Sequence, residues 1–375
     1  MPVKDKVVTW FIQHVIMPKR EIIDKPGFIV TNFTEHDQTT YLRELLLPER
    51  LFELIENKIV QEYDEKGKQI LYSAGKKFGY LYSSLSNFPT ITTCSGKKLS
   101  EFAYYLVRYI ETIYAQQANH EISIEDKTFT ISFDDYIICR HNGHGYIMTD
   151  GGITGIWAYL MQDKFIEGIQ FECQGRENKN CHVICAPKEK IQEKNNSYFS
   201  ETDLPDNKFA QIYQTMNKIR EITYSANSLK NLLDNRFFEY DEGILTFKNN
   251  RFFICESHIL FLLEQEISKL ENGEQFLFDI CFEYGKILRE TYGEKDYQKF
   301  IIDFFPALGF GDITFLDSNK IAAVYYPWTI YSETSKYIIF RGIMSGIISD
   351  SIGKKIEFNN FDVSISEYLS ITITT

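Results

Sequence analysis

The chain has 375 residues, 44% hydrophobic and 25% charged, an ordinary globular composition with length enough for about two domains. Its formal charge is −12 and its pI about 5.2, and Lys and Arg never cluster beyond a pair or two. A surface for nucleic-acid phosphates needs such clusters, so no direct nucleic-acid partner is expected.

The seven cysteines, an odd number without the rhythm of a disulfide-stapled small domain, fit reduced thiols and a cytoplasmic location. Aromatic residues make up 15% of the chain, which reads either as cores filled by large side chains or as an aromatic-lined ligand cavity.

At the start, Val7, Trp10, Phe11 and Val15 stand at helical spacing, Gln13 and His14 interrupt the apolar stretch, and no small-residue cleavage site follows. Residues 1–19 therefore read as a docking helix and not as a signal peptide. No uninterrupted apolar run reaches membrane-spanning length. A helix is predicted at 49–62, then a buried helix at 67–82, GKQILYSAGKKFGYLY, where Gly79 admits a neighbouring element. FDDY (133–136) reads as a polar turn, in preference to an acid–base pair of Asp134 and Asp135. CRHNGHGY (139–146) brings Cys139, His141 and His144 close in sequence. A Cys139–His141 nucleophile pair is disfavoured, because side chains two apart on a strand diverge and no third group orients them. His14, His36, His120 and His258 are isolated and read as surface or satisfied core residues.

Gly151-x-x-x-Gly155 opens a helix whose glycines read as a packing face; a phosphate-cradling loop would need the Lys-Ser/Thr that is missing here. A turn and two alternating strands follow, and FECQGRENKNCHVICAP (171–187) holds Cys173, Cys181 and Cys185. Pro205 and Asp206 then signal a helix start, with Phe209, Ile212, Met216, Ile219, Thr223, Ala226 and Leu233 at roughly three-four spacing. Residues 199–235 read as a helical linker, either a short coiled-coil seam or an amphipathic helix lying on its own domain.

The remainder repeats the first half. GEQFLFDICFEYGKIL (273–288) lies on 67–82 without a gap and sets Gly285 on Gly79, and a predicted helix at 256–270 precedes it as 49–62 precedes the first copy. Gly342-x-x-x-Gly346 lies on Gly151-x-x-x-Gly155, and 342–373 follows 151–184 through helix, turn and two strands. Ser364 and Thr372 stand at the positions of the cysteine pair.

The order helix, glycine-bearing helix, strands, G-x-x-x-G helix and two strands, with CQGRENKNCHVICAPKE (173–189) at its end, resembles the 4-vinyl reductase domain family. That family includes the sensor domains of phenol- and xylene-responsive transcription activators and is related to small subunits of transport-protein-particle tethering complexes. The resemblance covers residues 20–195 directly and 240–375 through the repeat. It implies an α+β fold of two such domains in tandem, each with helices packed on a twisted antiparallel sheet: 20–198 with the Cys pair and a degenerate copy at 236–375. The docking helix 1–19 and the helical linker 199–235 complete the expected layout. A tandem of this kind could form within one chain the pair that such domains form between chains.

In the sensor branch a structural zinc is held by three Cys and one Glu. Cys173 and Cys181 match two of these positions, while the Glu falls on Gln170 and the third Cys near Tyr146. A rebuilt set of Cys173, Cys181, His144 and either Cys139 or His141 is feasible in a closed four-ligand site. Strand parity sets Glu172 on the face opposite Cys173, and Cys185 four residues beyond Cys181. The other reading is a pair of buried thiols in a strand pair that has lost its metal. Any metal would be confined to the first half.

The expected role is non-enzymatic: a sensor or regulatory protein that binds a small hydrophobic or aromatic ligand and acts through a protein partner or a homodimer. Because no ATPase or helix-turn-helix segment follows before Thr375, the output is expected in a separate protein. The alternative is an adaptor of the tethering-complex type. A reductase-type enzyme comes third, since no nucleophile elbow, P-loop or dinucleotide fingerprint supports it. The ligand cavity is expected in the first half, between the helices and the sheet carrying Tyr136, Ile138 and Ile147.

Overall fold

A computed structural model describes residues 22–35, 38–137, 139, 147–192, 204, 227–241, 244–292, 296–328, 335–364 and 370–375. The docking helix at 1–19 and most of the linker, 199–203 and 205–226, lie outside the described residues. The architecture is mixed α+β, with three antiparallel sheets among the described residues. The chain divides into two compact units, one comprising Met1–Glu21 and Glu56–Ala210, the other Ile22–Ile55 and Gln211–Thr375.

In the first unit, strands β4 (Gln117–Ser123), β5 (Thr128–Asp134), β6 (Ile166–Glu172) and β7 (Cys181–Pro187) form a sheet of order β4-β5-β7-β6. Its helices are α1 (Glu49–Leu85, which starts in the other unit), α2 (Gly96–Tyr114), α3 (Ile147–Met161) and the short α4 (Lys188–Gln192). The two predicted helices at 49–62 and 67–82 are one element here, broken only at Asp64 (φ 47, ψ −128). α2 starts on Ser95, whose side chain accepts from the Lys98 N–H, and it buries Leu99, Ala103 and Val107, one stripe at four-residue spacing. Arg108 and Glu111, ion-paired at 2.9 Å in the core, tie this helix to Ala118 at the start of β4, Glu111 accepting from the Ala118 N–H at 2.9 Å.

α1 and α3 cross backbone to backbone. A Cβ at Gly155 would strike the Lys76 carbonyl, and one at Gly79 the Gly152 carbonyl. The G-x-x-x-G segment is thus a packing face, as its residues predict. Strand β6 departs from the predicted alternation: Ile166 through Gln170 are all buried, whereas β7 alternates over most of its length. Gly168 explains part of this, for a Cβ there would overlap Thr154 Oγ1 of α3.

The second unit opens with the six-residue α5 (Leu229–Asp234), whose first N–H groups, Leu229 and Lys230, are capped by Asp24 at 3.1 and 2.5 Å. Its large sheet combines distant pieces of chain, β1 (Ile22–Lys25), β2 (Phe28–Glu35) and β3 (Gln38–Pro48) with β8 (Glu239–Asp241), β9 (Ile244–Phe247) and β10 (Asn250–Glu256), in the order β1-β2-β3-β10-β9-β8. The junction is antiparallel, Leu45 opposite Cys255 and Leu47 opposite Phe253. Beside it Arg43, 2% exposed, donates to the carbonyls of Gly27 (2.6 Å), Gly309 (2.9 Å) and Tyr325 (3.2 Å) with its guanidinium 4.2 Å over the Phe28 ring. Gly27 and Gly309 present those carbonyls from φ 82 and 95, a region open to glycine at little cost.

The rest of this unit is α6 (His258–Ile267), α7 (Gly273–Tyr292), α8 (Tyr297–Ala307), β11 (Asp312–Asp317), β12 (Lys320–Val324), α9 (Ile338–Ile352), β13 (Asn360–Ser364) and β14 (Ser370–Thr374). Its small sheet has the order β11-β12-β14-β13, the same path as β4-β5-β7-β6. α7 and α9 also cross at glycine: Cβ atoms built on Gly285 and Gly346 would meet the carbonyls of Ile343 and Phe282. Each crossing carries a buried glutamate at the same place. Glu56 accepts from the Met148 N–H at 3.0 Å and Glu264 from the Ile339 N–H at 2.8 Å, three residues before Gly151 and Gly342 respectively.

Candidate functional site

Three of the sequence's candidate residues meet. Cys139, just past the Asp134–Asp135 turn, Cys173, at the end of β6, and Cys181, opening β7, place their sulfur atoms within 4.8 Å of one another, all buried. The pairing of the sheet explains the meeting, because Phe133 of β5 lies opposite Cys181 and Glu172 of β6 opposite His182. The β6–β7 connection is a tight 3-10 turn, closed by the Arg176 N–H on the Cys173 carbonyl (2.9 Å) and by the Cys173 N–H on Asn178 Oδ1 (3.0 Å). Gln174 pins this turn to the end of β5, donating to Asp134 Oδ1 at 2.7 Å while its Oε1 accepts from the Asp135 N–H at 2.8 Å. Asp134 and Asp135 thus form the expected polar turn, with Asp135 at φ 53.

The three thiols compete for one negative charge. Contact with Cys139 and then Cys181 holds Cys173 far below the ordinary thiol range. Contact with Cys173 and Cys181, with burial, drives Cys139 well above it. Cys181 is pulled down by Cys139, but its contact with Cys173 and its burial prevail and push it up to about 11. A cluster that stabilises one thiolate and crowds two further sulfurs against it is the donor arrangement of a soft, thiophilic cation. For comparison, zinc with Zn–S of about 2.3 Å sets tetrahedral sulfurs roughly 3.8 Å apart.

His144 and His141, the other candidates, lie outside the described residues, as does Tyr146. Gln170, at the family's Glu position, donates from its amide to Cys139 Sγ at 3.4 Å. Glu172 points away toward His182 (3.7 Å), as parity predicts. Cys185 sits apart from the cluster, 3.6 Å from Thr154 Oγ1 of α3.

At the other end of β6, where Glu167 lies opposite Ala186, is a polar network that the sequence reading missed. Lys76 of α1, 1% exposed, pairs with Glu167 of β6 at 2.9 Å, and Tyr72 Oη donates to the same carboxylate at 2.6 Å while accepting from the Gly168 N–H at 2.9 Å. Burial lowers the Lys76 ammonium and raises the Tyr72 hydroxyl. The one available signal was spacing: Tyr72 and Lys76 share a helix face with Gly79, where ionisable side chains are out of place.

The expected cavity is also relocated. An apolar pocket of about 20 Å³ lies between α2 (Ala103, Leu106, Val107, Ile110), Phe129 of β5 and α3 (Ile153, Ile156, Trp157, Leu160). Tyr136 and Ile147 do not line it: Tyr136 packs on Phe133 with ring centroids 4.4 Å apart, and Ile138 lies outside the described residues.

No family model and no curated protein matches the chain. Among solved structures 11 chains match, one being the phenol-responsive sensory domain of the transcription activator PoxR with phenol. It shares 12% identity at a TM-score of 0.33, covering 52% of this chain and 100% of that one. Likeness at that level assigns neither family nor ligand. Among the described residues no helix is long and apolar enough to cross a membrane.

Proposed function

We propose that the chain is a tandem of two modules resembling 4-vinyl reductase domains, at 20–198 and 236–375 and joined by the 199–235 linker, with residues 22–55 of the first packed into the compact unit of the second, and that it works as a non-enzymatic regulatory protein. The first module binds a small hydrophobic or aromatic molecule in the pocket between α2, α3 and β5, and a zinc ion held by Cys139, Cys173, Cys181 and His144 fixes one end of the same sheet. The ligand's effect passes to a protein partner or a second copy of the chain. The observation that carries this reading is the pocket itself, whose nine lining residues are all apolar. Apolar walls leave the hydrophobic effect as the binding force, at roughly 25 cal/mol per Å² buried.

A cavity of about 20 Å³ favours a second reading, the adaptor. A benzene-sized guest needs on the order of 150 Å³, so Phe129 and Trp157, stacked at 5.2 Å, would have to part. Phe165 and Phe171, 61% and 44% exposed, would then be contact residues for a protein partner. Thermal-shift measurements with phenol, alkylbenzenes and fatty acids separate the two. A ligand specific for the folded state raises the melting temperature, and Ile153→Trp, which fills the pocket, should abolish the shift. No shift across the panel selects the adaptor.

A further inference from the structure

A second cavity lies in the other unit and is chemically unlike the first. It is a cleft of about 440 Å³ lined by Ser268, Leu270, Asn272, Gly273, Glu274, Gln275, Phe278, Arg341 and Asn359, within the size range of small-molecule sites. Three features give it one polarity. The Arg341 side chain is held by carbonyls alone, its Nε donating to Lys336 O (2.9 Å) and Nη1 to Phe358 O (3.2 Å) and Asn359 O (3.0 Å). No carboxylate forms an ion pair with it among the described residues; Glu264 and Glu274 act on it only from farther off, so no direct acidic partner occupies its guanidinium. The first turn of α7, a 20-residue helix, enters the same cleft. There Gly273 N–H bonds to Leu270 O and Phe276 N–H to Asn272 O, while the N–H groups of Glu274 and Gln275 show no backbone acceptor among the described residues, as expected in a first helical turn. The one carboxylate of the lining, Glu274, is engaged by Lys336 at 2.5 Å. Beside these groups Phe278 offers an apolar wall, its ring 5.9 Å from the guanidinium.

We propose that this cleft binds the oxyanion of a small organic acid, a carboxylate or a phosphate monoester carried on a planar apolar body. Arg341 and the N–H groups of Glu274 and Gln275 take the oxygens, as helix N-termini and guanidinium groups do, and Phe278 with Leu270 takes the body. The first module offers no equivalent, since on the G-x-x-x-G alignment Asp150 stands where the second has Arg341.

Calorimetric titration of the full chain at low ionic strength with benzoate, phenyl phosphate and neutral benzyl alcohol tests this. One anion or both should bind with Kd below about 1 mM, the tighter one fixing the acid class, and benzyl alcohol should not bind. Arg341→Gln should weaken binding at least tenfold. Glu274→Gln, an exposed change that removes the carboxylate at the mouth, should tighten it several-fold and keeps the test decisive if Arg341→Gln fails to fold. Absence of binding by both anions at 10-fold higher concentration overturns the proposal, as does binding that Glu274→Gln leaves unchanged. Neither result bears on the apolar pocket of the first module.

Discussion

Cys173 illustrates how three thiols within 4.8 Å act as one titrating unit. The zinc proposed for this cluster would have to displace the remaining protons, so its affinity should fall steeply with acidification. Cys173→Ser should lower the zinc content of purified protein from about one ion per chain to near none and lower the melting temperature. Equal melting of the parent with and without chelator would instead leave a metal-free thiol cluster. Glu264 makes a different case. Burial raises its carboxyl to about 8, and Oε2 has no hydrogen-bond partner among the described residues. Tyr326, Tyr337 and Cys281 surround it, with Arg341 supplying the nearby positive charge. Between the ordinary carboxylate value of 4.5 and about 8 the folded state holds a proton that the unfolded chain has released. Stability therefore declines as pH rises through that window and levels off above it. Glu264→Gln, which keeps an acceptor for the Ile339 N–H, should flatten the decline and stabilise the protein at pH 8 by on the order of 1–3 kcal/mol, read by urea titration at several pH values.

At the level of elements, the two glycine crossings are built alike and filled differently. Against α3, α1 sets Tyr72 and Lys76 with Glu167 from β6; the 67–82 alignment and the alignment of the G-x-x-x-G segments put Phe278, Phe282 and Phe358 at those three positions. The crossing therefore does not require an ion pair. A buried charge left alone costs about 3–5 kcal/mol, whereas replacement of the whole group by apolar side chains is often neutral. Lys76→Ala should accordingly destabilise the first unit by several kcal/mol, while Tyr72→Phe, Lys76→Met and Glu167→Leu together should cost less than the single change. Denaturant melts of the four proteins decide it; a triple variant worse than Lys76→Ala would show that the network is itself needed for the fold. The crossings were legible in the sequence because glycine at four-residue spacing has few other uses. The network was not, because Tyr72, Lys76 and Glu167 are 95 residues apart at the extremes and become neighbours only through the sheet. Cys139 could be proposed from its distance to the G-x-x-x-G helix, and the sheet register made it a neighbour of the pair.

For the molecule as a whole, the least legible feature was the destination of residues 22–48. Their run YLRELLLP carries no strand alternation, since Leu42, Leu45, Leu46 and Leu47 are all fully buried in a strand covered on both faces. That strand completes a sheet with β10, so residues 227–375 expressed alone should expose the β10 edge and the vacated Arg43 site. Such a fragment should aggregate, and co-expression with 22–55 should restore a soluble species by size-exclusion chromatography. A soluble, folded 227–375 fragment would mean that the hairpin is dispensable.

The Arg43 clamp has a consequence during synthesis. Its donor and its Gly309 acceptor are 266 residues apart, and translation at about 5–20 residues per second separates their emergence by roughly 13–50 s. For most of that interval the leucine-rich hairpin has left the ribosome while its partner strand β10, Phe253 opposite Leu47, has not. The hairpin is thus the segment where a nascent chain most needs a holdase, and a pause in translation ahead of β10 would lengthen its exposure.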